Sequence, residues 1–246
     1  MNDVRLSPRP RRHLEELLLP DGTRTAYEIR RNRRARRITL RVTDNALVVS
    51  APVGARTQEI STAVARRRDW VATALAEARA LAPVPLRVGD RIPLLGDSVL
   101  IVAGAGRRAS RAGDRLAVPA GVSVDGAVEA WYRRTARVHF TAVMDAWAPR
   151  IGVRPARLTV RAQRSRWGSA SPAGTVSLNW RLVMTPPEVC EYVIVHELVH
   201  LRHMDHSPEF WACVEAHWPS HRSERAWLRH HGQRVMAGPH ALDRAY

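Results

Sequence analysis

Apolar side chains recur along the chain with two different periods, and the changes of period mark out its elements. From Thr23 to Pro52, β-branched and polar residues alternate, as in Ile38-Thr39-Leu40-Arg41-Val42 and Leu47-Val48-Val49-Ser50. A period of two puts alternate side chains on opposite faces of a strand, so a strand pair joined at Asp44-Asn45 is predicted, and with it a small antiparallel sheet. Between Thr57 and Leu81 the period lengthens, with Ile60, Val64, Trp70, Val71, Ala74 and Leu75 on one broad face and Pro83 and Pro85 beyond them. That pattern reads as one helix. Pro93 to Ala103 returns to strand, turning at Gly96-Asp97, and residues 104–114 read as a Gly/Arg loop.

A second long helix is expected from Val124 to Trp147, carrying Trp131, Val138, Phe140, Val143 and Met144 and ending before Pro149. Two short strands follow at 157–162 and 175–179, then helices near 186–203, 208–217 and 221–231. No internal repeat is evident. The fold class is α+β: a small antiparallel, β-rich N-terminal half, and a C-terminal half built around one apolar helix. The expected divisions are an arm at 1–22 carrying the knot Leu17-Leu18-Leu19, a β-rich subdomain with one long helix at 23–105, a second domain at 115–232, and a tail at 233–246, with the boundary in the Gly/Arg loop.

Composition narrows the class. With 246 residues, 45% of them hydrophobic, the chain can bury a core, which excludes general disorder. Formal net charge is +16, and with no lysine every fixed cation is a guanidinium. Such a surface favours polyanions. Arg30-Arg31-Asn32-Arg33-Arg34-Ala35-Arg36-Arg37 concentrates six arginines in eight residues, a run able to neutralise nucleic-acid phosphates or simply to stand as a solvated strand edge. Cys190 and Cys213 form no CxxC pair and read as buried apolar residues rather than a disulfide or thiolate metal site. Neither a secretory apolar stretch nor a membrane-length run is present, so a cytoplasmic location without membrane attachment is expected.

The chemistry concentrates in Thr185-Pro186-Pro187-Glu188 through His196-Glu197-Leu198-Val199-His200 to His206-Ser207-Pro208. Thr185 and Glu188 have the spacing of a capping box, so a helix should start there. Residues four apart share a helix face, so His196 and His200 can present nitrogens to one ion, with Glu197 beside it. This is the HExxH arrangement, in which two imidazoles hold zinc and a carboxylate takes a proton from water. A catalytic zinc needs a third protein ligand and an open position for water. Along a straight helix His203 stands about 10.5 Å above His196, too far to converge. Ser207-Pro208 restarts a helix, so residues 204–206 form a turn, which makes His206 the third ligand, with Asp205 and Glu215 as alternatives.

At these residues the chain resembles the YgjP-like metallopeptidases, relatives of the SprT and WLM zincins. The matching stretches are Arg164-Ser165-Arg166-Trp167-Gly168-Ser169, Val176-Ser177-Leu178-Asn179, Tyr192 through Leu201, His206 through Trp211, and Pro219, with weaker matches at 33–37 and 48–52. The resemblance implies a zincin-like C-terminal half with zinc on His196, His200 and His206 and Glu197 as catalytic base. Ala170 departs from the family, which usually has cysteine after the Trp-Gly-Ser triplet.

The expected function is zinc-dependent peptide hydrolysis, with Glu197 deprotonating zinc-bound water that then attacks a metal-polarised carbonyl. Residues 175–179 are the expected pairing strand for an extended protein or peptide substrate. Arg164, Arg166 and Asn179 are the candidate substrate-binding residues, with Tyr192 a further oxyanion candidate. Trp167 and Trp180 could stack on bases, though core positions are the commoner use of tryptophan. Two alternatives stay open: a zinc-dependent nucleoside polyphosphate pyrophosphohydrolase, and a nucleic-acid-associated binding protein with a structural metal. A purely structural site has no use for Glu197. The sequence leaves oligomeric state undetermined.

Overall fold

The computed structural model describes residues 13–43, 45–80 and 84–242. The chain divides between Ala82 and Pro83 into two compact units. The expected boundary in the Gly/Arg loop is therefore corrected: that segment lies inside the second unit and includes a strand, Ser110–Ala112, paired with Arg115–Pro119.

The first unit contains β1 (His13–Leu18), β2 (Arg24–Asn32), β3 (Thr39–Thr43) and β4 (Ala46–Pro52), in the order β1-β2-β4-β3, followed by α1 (Thr57–Ala65) and α2 (Arg68–Ala80). The β2/β4 pair is parallel and the outer pairs are antiparallel, so this sheet is mixed where an antiparallel one was expected. The apolar knot belongs to the sheet: Leu17 and Leu19 are buried while Leu18 points out, an alternation that places β1 in the core rather than in an arm. The rest of that expected arm, residues 1–12, lies outside the described residues, as do Asp44 and Pro83. Tyr27, Ile29, Leu47, Val49 and Ala51 supply the sheet's buried face, and Ile60, Val64, Val71 and Leu75 cover it from the helices. The single expected helix is two helices, and Trp70 is exposed.

The second unit begins with β5 (Arg91–Leu94), β6 (Asp97–Gly104), β7 (Ser110–Ala112) and β8 (Arg115–Pro119), in the order β5-β6-β8-β7. Strand order and pairing senses repeat those of the first sheet, with a parallel central pair between two antiparallel hairpins. A helix again follows. The chain thus contains a structural repeat that short strands with few buried positions, Leu47, Val49 and Ala51 against Leu116 and Val118, do not announce in sequence. The β5–β6 turn is Leu95-Gly96, one residue earlier than expected, with φ of 49° and 85°, the left-handed pair a two-residue hairpin needs.

Next come α3 (Val124–Ile151), β9 (Arg157–Arg161), β10 (Gly168–Ala170), β11 (Thr175–Asn179), a 3-10 turn at Trp180–Met184, α4 (Pro187–Val199), α5 (Pro208–His217) and α6 (His221–Ala237). Ser123 caps the start of α3, and Gly152, at φ 76°, ends it. Pro149 sits inside its last turn, giving up one backbone bond there, and buried Ile151 holds the extension down. Of the apolar residues on α3, Val138 is exposed. Beyond 232 the expected tail is structured: α6 runs on to Ala237 and Leu242 is buried in the core, while 243–246 lie outside the described residues. Among the described residues no helix is long and apolar enough to cross a membrane.

Candidate metal centre

Helix α4 is apolar almost all round, with nine of its 13 residues buried, as suits a helix at the centre of a core. Its start differs from the expected capping box. The Thr185 hydroxyl donates to the Leu182 carbonyl at 2.8 Å, closing the preceding 3-10 turn, so α4 begins at Pro187 behind Pro186. The polar groups that α4 takes into this core are His196 and Glu197, with His200 at its C-cap.

Beyond His200 the chain turns, the amides of Arg202 and His203 both bonding back to the Val199 carbonyl. The hydroxyl of Ser207 accepts from the Phe210 amide and Pro208 opens α5, as the sequence predicts. This turn brings His206 back to the first two histidines. Ligand atoms of His196, His200 and His206 all lie within 4.8 Å of one another. The Nε2 atoms of His196 and His206 are 3.2 Å apart, close to the roughly 3.3–3.4 Å expected of two nitrogens at 2.0–2.1 Å on one tetrahedral zinc. Glu215 instead pairs with Arg222 at 3.6 Å, and Asp205 accepts from the Ser207 amide. His217 faces the carbonyls of Cys213 and Arg150.

The surroundings orient the rings. His200 Nδ1 donates to the His203 carbonyl at 3.0 Å, leaving Nε2 as its ligand atom, so His203 serves through its backbone. The Tyr192 hydroxyl stands 3.4 Å from His196 Nδ1. Phe210, fully buried, packs on all three imidazoles with centroid separations of 4.9, 4.4 and 4.8 Å, and Trp211 lies against His196 and His206. Burial, then the neighbouring His200 and His206, hold the His196 pKa down at about 3. Burial also lowers that of His200. Neutral imidazoles are the form that binds a metal.

Glu197 is buried, and burial raises its pKa to about 8 against the opposing pull of Arg166. Its Oε2 has no hydrogen-bond partner among the described residues. The carboxyl rests against Gly168 of β10, where a Cβ would come within 2.5 Å of Oε1. Both border a cleft of about 670 Å³ lined also by Arg166, Trp167, Tyr192, Val193, His196, Arg225, Leu228 and Arg229. Three nitrogens converging on one point, with an unsatisfied buried carboxyl oxygen on a residue that borders a cleft, fit a cation site with room for water beside it.

Not every expected site residue belongs here. Asn179 is buried; its amide nitrogen donates to the Gln163 and Arg166 carbonyls and its oxygen accepts from the Arg181 amide. It fastens the 163–166 loop, which corrects its expected substrate-binding role. Arg166 lines the cleft; Arg164 is not among the residues that do. Residues 175–179 form β11, flanked by β10 and β9 on its two sides, so they have no free edge for a substrate, another correction. Trp180 is a core residue stacked on Tyr132, whereas Trp167 packs beside Gly232 of α6 at the cleft. In the arginine run, Arg31 donates to the Val53 and Ala55 carbonyls and Arg30 pairs with Glu28. Sequence reasoning missed Gly168 as the surface beneath Glu197, Phe210 and Trp211 as the wall behind the histidines, and Arg225 and Arg229 in the cleft. The triplet Trp167-Gly168-Ser169 and the run His206 through Trp211 carried the only signal for them.

Two histidines and a buried glutamate at the end of the central helix of an α+β core, joined by a third histidine from the turn that follows, define a metallopeptidase-like domain. The YgjP-like, metallopeptidase domain family model matches residues 36–231, and the chain belongs to that family. Among curated proteins none matches the chain. The crystal structure of the metallopeptidase zymogen of Pyrococcus abyssi abylysin is similar at 22% identity and a TM-score of 0.34, over 38% of this chain and 93% of that one.

Proposed function

We propose that this protein is a zinc-dependent endopeptidase in which His196, His200 and His206 hold the ion and Glu197 is the general base. The observation that carries this reading is the convergence of the three imidazoles next to Glu197, a cleft-lining residue whose buried Oε2 lacks a partner. Zinc, when bound, supplies Lewis acidity and brings the pKa of water toward ~7. Glu197 takes the proton from the attacking water and then passes it to the departing amine. Its position against the Gly168 backbone fixes where that proton is received. Tyr192, at van der Waals and hydrogen-bond range of His196, orients the ring.

The substrate runs along β10, the outermost strand of the sheet β10-β11-β9, whose first residue borders both Glu197 and the cleft. An extended peptide there would pair by backbone hydrogen bonds, placing its carbonyl beside the base. Incubation of purified protein with casein, with and without chelator and beside Glu197→Gln, tests the reading. Chelator-sensitive cleavage that is lost in the variant is expected. Absent or chelator-insensitive cleavage, or release of phosphate from nucleoside triphosphates in its place, would refute it.

A further inference from the structure

The cleft beside Glu197 has a charge pattern that the hydrolytic chemistry does not require. Arg166 reaches it from the loop before β10, while Arg225 and Arg229 come from one face of α6, four residues apart. Glu197 is the one acidic residue among those lining it, and that carboxyl is buried beneath Gly168. Trp167, Val193 and Leu228 contribute apolar walls. The Arg225 guanidinium lies 4.4 Å over the Trp211 ring, which holds the cation in place without neutralising it. Among the described residues none of the three arginines forms an ion pair with a carboxylate.

Guanidinium groups gathered around a partly apolar recess recognise planar anions through paired N–H donors. The same field repels a cationic side chain, so discrimination acts in both directions. Resting on the peptidase reading, we infer that the cleft selects peptides bearing a carboxylate close to the scissile bond, held by Arg166, Arg225 and Arg229. The carboxylate comes from an Asp or Glu side chain or from the peptide's own C-terminus.

Fluorogenic peptides of one length, differing only in Glu, Gln or Lys beside the cleaved bond and each made with a free or amidated C-terminus, separate these sources. The wild-type holoprotein should cleave the Glu peptide with kcat/KM about tenfold or more above Gln, and Lys lowest, the preference shrinking in about 0.5 M salt. A preference that follows the free C-terminus rather than the side chain supports the inference with the chain end as source. Arg229→Glu, on the exposed side of α6, should reverse the Glu-to-Lys ratio, and a ratio within one variant is independent of how much of it is folded. Equal cleavage of acidic, neutral and basic peptides with either terminus, or an unchanged ratio in Arg229→Glu, would overturn the inference while leaving the peptidase reading standing. Cleavage of neither these peptides nor casein would remove both readings, whereas cleavage of casein but of none of the peptides would overturn this inference alone.

Discussion

Gly168 of β10 and Glu197 of α4 are in a contact only glycine allows: a Cβ on residue 168 would stand 2.5 Å from Glu197 Oε1 and 2.6 Å from its Cγ. The backbone of the strand forms the surface on which the base rests. Gly168→Ala must therefore displace the carboxyl or the strand, and an error of about 1 Å at a catalytic group can cost a hundredfold in rate. The expected outcome is a fall in kcat of that order with bound zinc unchanged, since the atoms nearest a Cβ at residue 168 belong to Glu197. Steady-state kinetics alongside metal analysis checks it.

Glu197 also sets a pH dependence. Its pKa is raised from the ordinary carboxylate range to about 8, first by burial. Between roughly pH 4.5 and 8 the unfolded metal-free chain has given up a proton that the folded chain keeps, so this group makes stability fall as pH rises through that window. His196 and His200, with pKa values lowered by burial, act oppositely below about pH 6.5, where the unfolded chain gains protons that the folded chain refuses. From pH 6.5 to 8 Glu197 dominates. Denaturant titrations of metal-free protein should show Glu197→Gln gaining on wild type across that range by at most about 2 kcal/mol. Parallel pH profiles for the two proteins would contradict the burial argument.

Because Glu197 keeps its proton at neutral pH in the metal-free protein, a cation arriving beside it should expel that proton. Zinc binding near pH 7 is expected to release more protons from wild type than from Glu197→Gln, burial holding His196 and His200 toward their neutral forms in both. Calorimetry in buffers of different ionisation enthalpy reads the difference.

Two residues beside the ligands make opposite predictions. Tyr192→Phe removes the hydroxyl 3.4 Å from His196 Nδ1 and should weaken zinc affinity by about tenfold or more. His203→Ala keeps the carbonyl that receives the His200 Nδ1 proton and should leave affinity within about twofold. Competition with a chromogenic chelator measures both.

In the N-terminal unit, Arg31 bonds to the carbonyls of Val53 and Ala55, tying the end of β2 to the segment after β4. Arg31→Ala should lower stability by about 1–2 kcal/mol, whereas Arg33→Ala should change it by less than about 0.5 kcal/mol. Thermal melts of the two variants distinguish an architectural arginine from its exposed neighbours.

The site was legible in sequence because its geometry is local. His196, Glu197 and His200 are fixed by one helical turn, and Ser207-Pro208 announces the restart that returns His206. The α+β class followed from the change of period at Thr57 and Val124. What escaped reading depends on partners distant in the chain. Whether Asn179 meets substrate or fastens a loop is decided by Gln163 and Arg166, and whether residues 175–179 are an edge is decided by β9 and β10 on either side. Thr185 carried a capping signal that the Leu182 carbonyl claimed instead. The strand in 13–18 was hidden because two buried leucines around an exposed one look, in sequence, like an unbroken apolar knot.

The most direct test of the three-histidine centre is a zinc titration of metal-stripped wild type and His206→Ala, read as equivalents bound after exhaustive dialysis. One equivalent on the wild type and a small fraction of one on the variant are predicted. A full equivalent retained by His206→Ala, or none bound by wild type, would contradict the account.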